Sequence, residues 1–246
     1  MRTVEPALAP TAWPARRQRQ DLIVGLALVT LAALVQTSPF DFWLAHRVYQ
    51  WEGDGWSLRR AWLLKEVMHD GVNQLVKVMQ IGLVLLTIAA FTLRRFAGLP
   101  ARGVTAWRWP LLYLASAMPA CAAIVGLLKA WTNMDCPYDL VGFGGDRPFV
   151  GLFEIRPEGL PRGRCFPGGH ASGGYGYLGL YFLGRRHGLA LPGLLIPLVA
   201  GAILGLTQQL RGAHFMSHDL WTLAICWFVC WGLSELMLLG GGRRKA

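Results

Sequence analysis

The sequence predicts an all-α polytopic membrane protein: a bundle of six transmembrane helices with an interfacial helical segment on its outer face. Three observations predict it. Of the 246 residues, 54% are hydrophobic and 15% are charged, against about 25% charged residues in soluble domains. The mean hydropathy is +0.37. The apolar residues gather into six runs, each read against the roughly 20 residues that a helix needs to cross the hydrocarbon. This composition excludes a disordered chain. The net charge of +10 does not make a nucleic-acid binder, because the basic residues are spread along the chain rather than gathered into one patch. Five cysteines are too few for a disulfide-rich secreted scaffold.

Residues 1–20 read as a cytoplasmic basic tail ahead of an uncleaved anchor, because Arg16, Arg17 and Arg19 precede an apolar run that no small-residue cleavage site follows. The membrane domain then covers 21–240, and 241–246 form a second basic tail. The first span, 22–40, is bounded by Asp21 and holds Pro39 near its far end. The second, 76–93, is stopped by Arg94 and Arg95. The third, 109–128, ends at Lys129. The fourth, 170–183, is short; Gly173, Gly174, Gly176 and Gly179 suit close helix packing better than lipid contact. The fifth, 189–210, contains Pro192 and Pro197, and the sixth is 220–239. Six spans put both termini on one side. The short basic stops at Arg94-Arg95 and Arg185-Arg186 assign that side to the cytoplasm of a bacterial inner membrane.

Two outer segments are long. The first, 41–75, carries an amphipathic stretch at 56–72, either an interfacial helix anchored by Trp51, Trp56 and Trp62 or a lid that admits lipid. The second, 129–169, holds most of the polar chemistry. Under this topology three polar clusters meet the outer ends of different spans: Lys129 to Pro137, Arg164 to Ser172, and Gln208 to Asp219. Gly168 and Gly169 ahead of a helix leave backbone N–H groups for an anion. Lys129, Arg164 and Arg211 add positive charge. Cations and N–H donors around one point suit a phosphate. Two histidines there can divide phosphoryl transfer: one attacks phosphorus as a neutral imidazole, the other protonates the leaving oxygen. Fixed cations stabilise the charge, so this chemistry calls for no metal and no cofactor.

The chain resembles the type 2 phosphatidic acid phosphatase superfamily over residues 20–240. That family's signature runs Lys-x6-Arg-Pro, then Pro-Ser-Gly-His, then Ser-Arg-x5-His-x3-Asp. Here Lys129 is followed at the right distance by Cys136 and Pro137, so a cysteine stands where arginine is expected. The second motif is Pro167, Gly168, Gly169 and His170, with Gly168 in place of serine. In the third, His214 takes the nucleophile's position, Gln208 stands in place of arginine, and Arg211 lies one helical turn on, on the same face. The expected aspartate position is His218, with Asp219 beside it.

The resemblance implies a phosphoric monoester hydrolase with His214 as nucleophile and His170 as general acid, then base. Lys129, Arg164, Arg211 and the N–H groups of Gly168, Gly169 and His170 would hold the phosphoryl oxygens, and Asp219 or His218 would orient His214. Arg147 is a loop candidate to replace the lost arginine. Cys121, Cys226 and Cys230 lie within spans and read as small core residues. Cys136 and Cys165 are the two outside them, and a periplasmic disulfide between them would tie the first motif to the second.

The expected partners are the bilayer and a lipid phosphate: undecaprenyl pyrophosphate, phosphatidylglycerol phosphate, phosphatidate or a lipid A phosphate. Three further readings stay open. One is a phosphotransferase on the same site. Another is a metal-dependent hydrolase built from His214, His218, His170, Asp219 and Asp135. The third is a non-catalytic binding or transport protein.

Overall fold

A computed structural model describes residues 15–100 and 103–239. The basic residues of 1–14 and 243–245 lie outside that range. Helix α1 (Ala15–Thr37) takes up the first span and begins earlier, so Arg16, Arg17 and Arg19 lie in its first turns; Arg and Gln are good helix formers. It stops before Ser38 and Pro39, because proline pushes the preceding residue out of the helical region. Helix α2 (Phe40–Trp51) follows. The 56–72 stretch is no regular amphipathic helix. It is a 3-10 turn, Ser57–Arg60, and π-helical turns, Leu63–Gly71, that run straight into α3 (Val72–Arg95).

Helix α4 (Arg108–Thr132) carries the third span. The fourth is broken into α5 (Ser172–Tyr175), a 3-10 turn (Gly176–Leu178) and α6 (Gly179–Gly184). Helices α7 (Ala190–Leu210) and α8 (Met216–Ser234), prolonged by π-helical Glu235–Leu239, complete the bundle. Among the described residues five helical segments are long and apolar enough to cross a membrane. The broken fourth segment is not one of them.

That segment lies in the core. Ala171, Tyr175, Leu178 and Phe182 are buried against Tyr113 and Cys121 of α4 and Cys226, Trp227 and Cys230 of α8. A Cβ on Gly174 would collide with the backbone of Gly201 on α7, and one on Gly193 would stand 2.5 Å from the Leu180 carbonyl oxygen. Absent side chains let these backbones touch, as small residues do between membrane helices. On the outside, Leu75, Val78, Ile81 and Leu85 of α3 and Leu191, Leu195 and Val199 of α7 are exposed. Water does not tolerate so broad an apolar belt, and lipid covers it.

Polar contacts sort the helix ends. Arg185 donates to both carboxylate oxygens of Asp21 at 2.8 Å, and Gln18 donates to Glu235 at 2.6 Å. The start of α1, the end of α6 and the end of α8 therefore share one end of the bundle. At the other end, Trp221 donates to Gln36 at 2.7 Å, and the Asp41 carboxylate accepts the Ser217 N–H at 3.0 Å. That carboxylate satisfies one of the open donors at the start of α8.

Candidate active site

Helix α4 ends at Asn133, which adopts a left-handed conformation with φ 55°, a common way for asparagine to stop a helix. Lys129 is thereby set in the last turn, where a cation meets the negative end of the helix dipole. The loop that follows folds back onto this end. Asn133 accepts the Gly163 N–H at 2.9 Å, Thr132 donates to the Phe166 carbonyl at 2.6 Å, and Cys165 N–H donates to Met134 at 3.0 Å. The Cys136–Cys165 disulfide closes the same junction, with Cα atoms 5.2 Å apart. Arg164 is thus carried beside Lys129.

Arg147 does not replace the lost arginine. It pairs with Asp135 at 2.8 Å and Asp139 at 3.4 Å, and Asp135 also holds Arg156 at 2.7 Å. The carboxylate of Asp135 raises the pKa of Arg147 further. With Asp135 committed to two guanidinium groups, the alternative metal set is not assembled; among the described residues no cluster of three His, Cys, Asp or Glu is arranged to hold a metal ion.

His214 sits in a short, fixed connection. Helix α7 closes with Gly212 at φ +64°, Gly212 N–H donating to Gln209 and Ala213 N–H to Gln208, both at 2.9 Å. This is a Schellman motif. Glycine is doubly required there, since any Cβ would run into the ring of Trp56. Phe215 is extended and α8 begins at Met216. His214 therefore hangs between two helix ends, with its backbone held on both sides.

A cavity of about 240 Å³ opens at this end of the bundle. His214, Lys129, Arg164, Gln208 and Arg211 line it, and the Cys136–Cys165 bridge forms part of its wall. Arg211 donates to Gln208 at 3.0 Å and to the Arg59 carbonyl at 3.1 Å, so the one-turn spacing does bring the two residues together. Among the described residues, neither the Lys129 nor the Arg164 side chain donates a hydrogen bond to a protein acceptor. His214 is buried; burial and then the Lys129 ammonium hold its pKa well below the usual imidazole range, so it is neutral. Its Nδ1 is sealed from solvent with no partner, and Oδ1 of Asp219 is sealed likewise.

Both of those atoms flank Gly168. A Cβ on Gly168 would lie 3.3 Å from His214 Nδ1 and would collide with Asp219 Oδ1. Gly205 crowds the other side of the carboxylate, with a Cβ position 2.7 Å from Oδ2, which accepts from Gln209 at 2.8 Å. His218 is also buried, but it packs edge-on to Phe166 and Phe215, 5.6 Å from the His214 ring between centroids. Its ring nitrogens make no hydrogen bond of ordinary geometry.

The second motif departs from expectation in two ways. The Gly168 N–H is already donated to the His218 carbonyl at 2.9 Å, so it cannot serve an anion. The helix it precedes, α5, is a single turn, too short for an appreciable dipole. Gly169 does stand next to the cation, with its Cβ position 3.2 Å from Lys129 Nζ. His170 does not line the cavity. Its Nε2 is 2.9 Å from the Met68 carbonyl oxygen, and its ring stacks on that of His69.

Three lining residues were not anticipated from the sequence: Arg59, His69 and Tyr138. Arg59 lies over the Tyr138 ring at 3.5 Å. The signal for Arg59 and His69 was present as cationic residues in the 56–72 stretch, but a loop read as interfacial hides which side faces the site.

No curated protein and no solved structure matches the chain. The family model described as the PAP2 superfamily matches residues 110–239, just over half of the chain, running from α4 through the disulfide loop to the end of α8. The chain belongs to the PAP2 superfamily, and its activity is of the phosphatase type.

Proposed function

We propose that this phosphatase hydrolyses a lipid phosphate or lipid pyrophosphate through a phosphohistidine on His214, without a metal, at the periplasmic boundary of a bacterial inner membrane with both termini in the cytoplasm. The observation that carries the reading is the neutral His214 in the wall of a cavity whose uncommitted cations, Lys129 and Arg164, stand beside it. A phosphate monoester is a dianion that such a wall binds and whose transition-state charge it stabilises. Exposed Trp51 and Trp62 near this end suit the bilayer interface, where a lipid head group sits.

The steps follow from the residues. Lys129, Arg164 and Arg211 clamp the phosphoryl oxygens, joined by the Gly169 and His170 amides, which among the described residues donate to no backbone acceptor. His214 Nε2 attacks phosphorus in line. Asp219, whose unpaired Oδ1 lies by the same Gly168 as His214 Nδ1, accepts the Nδ1–H as the ring turns to attack, orients it and stabilises the positive charge that develops on it; we assign this role to Asp219 rather than to His218, which packs among aromatic rings. An imidazole on the outer wall protonates the leaving oxygen and then activates water; the family resemblance gives that task to His170. Lipid mono- and diphosphates offered side by side in EDTA to the purified protein test the reading. Phosphate release that falls on the order of 10⁴-fold or more in His214→Ala is expected. A wild type that releases none from any of them leaves a binding or transport protein.

A further inference from the structure

Arg59 lies outside all three sequence motifs, on the 3-10 turn Ser57–Arg60. It lines the reactive cavity together with Lys129, Arg164 and Arg211. It also lines a second cavity of about 400 Å³, whose walls include Trp56, Arg60 and Phe143. Tyr138 is the other residue common to both, so the two cavities adjoin at this pair.

The pair is held from several sides. The Arg59 N–H donates to the Trp56 carbonyl at 3.0 Å, and the Arg59 carbonyl accepts Arg211 Nε–H at 3.1 Å. The Trp56 indole N–H in turn donates to the Phe143 carbonyl at 3.1 Å. Tyr138 follows the bridged Cys136 by two residues, and its N–H donates to the Gly212 carbonyl at 3.0 Å, two residues ahead of His214. The guanidinium carbon of Arg59 stands 3.5 Å over the centre of the Tyr138 ring. A guanidinium seated on a ring keeps the N–H donors at its edge available.

Charge decides what belongs beside it. Among the described residues no carboxylate lines either cavity, and none pairs with Arg59. Glu52, close by in sequence, accepts the Leu58 N–H at 2.8 Å. Lys129, Arg164 and Arg211 already surround one phosphoryl group in the reading above. A fourth cation in a wall without acids calls for a ligand with more negative charge than one phosphate.

Resting on the phosphatase reading above, we propose that Arg59, seated on Tyr138, forms a second anion subsite that takes the inner phosphate of a lipid diphosphate, which makes the diphosphate the preferred substrate class. His214 attacks the outer phosphorus. As the P–N bond forms, the bond from that phosphorus to the bridging oxygen breaks. Its electron pair stays on the departing lipid monophosphate, where Arg59 meets the charge that develops. Hydrolysis of the phosphohistidine by water is unchanged. Tyr138 is a positioning residue.

Matched pairs of substrates test this: farnesyl diphosphate with farnesyl monophosphate, and diacylglycerol pyrophosphate with phosphatidate. Within each pair the lipid is the same and one phosphate differs. Initial rates of phosphate release from purified wild type, Arg59→Gln, Tyr138→Phe and Tyr138→Leu give kcat/KM for each member. The wild type is expected to favour the diphosphate about 10–100-fold, the worth of one hydrogen bond to a charged group. In Arg59→Gln that ratio falls to near one, and the remaining hydrolysis of the monophosphate reports a folded protein. Tyr138→Phe, which keeps the ring, retains the ratio, and Tyr138→Leu lowers it. A wild type without the preference, or an Arg59→Gln that loses equally on both members of each pair, overturns the subsite and leaves the phosphatase reading intact. A ratio unchanged in Tyr138→Leu removes the positioning role of Tyr138. A wild type inactive on both pairs and on the lipid panel overturns the phosphatase reading, and this inference with it.

Discussion

Asp219 and His214 show how much a single missing Cβ decides. Two buried polar atoms, Asp219 Oδ1 and His214 Nδ1, lie unpaired on either side of Gly168, and an unmet buried polar atom is costly. The serine expected in the family at position 168 would put its Cβ into the carboxylate, so glycine there is a condition for Asp219 standing where it does. Replacing the carboxylate by an amide leaves the shape and removes the charge. Asp219→Asn is expected to lower kcat about 10²–10⁴-fold with KM changed only a few-fold, measured under saturating substrate. In the proposed mechanism Lys129 acts earlier, on binding. Lys129→Met is expected to weaken competitive inhibition by inorganic phosphate about 10–100-fold, the worth of one hydrogen bond to a charged group. An inhibition constant equal to that of the wild type removes Lys129 from the phosphate clamp.

At the scale of elements, the site is made of endings. Lys129 sits where Asn133 terminates α4, His214 where the Schellman turn terminates α7, and Asp219 in the first turn of α8. Each ending is local chemistry, but their meeting depends on the 133–171 loop folding back over α4. The Cys136–Cys165 bridge, 29 residues apart in sequence, holds that fold. Replacing both cysteines by serine is expected to destabilise the protein by about 3 kcal/mol through loop entropy, read as a lower melting temperature in detergent that added reductant does not lower further. In the wild type, reductant alone is expected to produce the same shift. Phosphatase activity should fall with it, because Arg164 is delivered to the cavity by the same loop.

Across the whole molecule, one end is structural and the other reactive. Asp21–Arg185 and Gln18–Glu235 tie α1, α6 and α8 together at the first; the second gathers the histidines. Their burial couples stability to pH. His170 titrates near 4 in the folded protein and near 6.5 in an unfolded chain, so between those values the unfolded chain binds more protons. The stability that the neutral His170 contributes is then expected to fall as pH drops from about 6.5 towards 4. Neutral, buried His214 adds to the loss in the same direction. Thermal melting of the wild type beside His170→Gln across this range measures it, and an equal pH dependence in the two contradicts a neutral buried His170.

The membrane class, the long spans, the disulfide pair and the residues His214, Lys129, Arg164 and Arg211 were legible without coordinates, because hydropathy runs and motif spacing are properties of the linear chain. The gap between His170 and the cavity, the loss of the Gly168 N–H to His218, the capture of Arg147 by Asp135 and Asp139, and the arrival of Arg59 and His69 were not. Each depends on which groups from distant segments come within about 3–5 Å of one another, and a hydrogen bond or a stacked ring at that range leaves no trace in spacing along the chain. The broken fourth span lies between the two cases. Its glycines announced close packing, but that Gly174 meets the backbone of Gly201, and Leu180 that of Gly193, was settled by the tertiary structure, because a backbone comes to contact distance of another only where a side chain is missing at the meeting point.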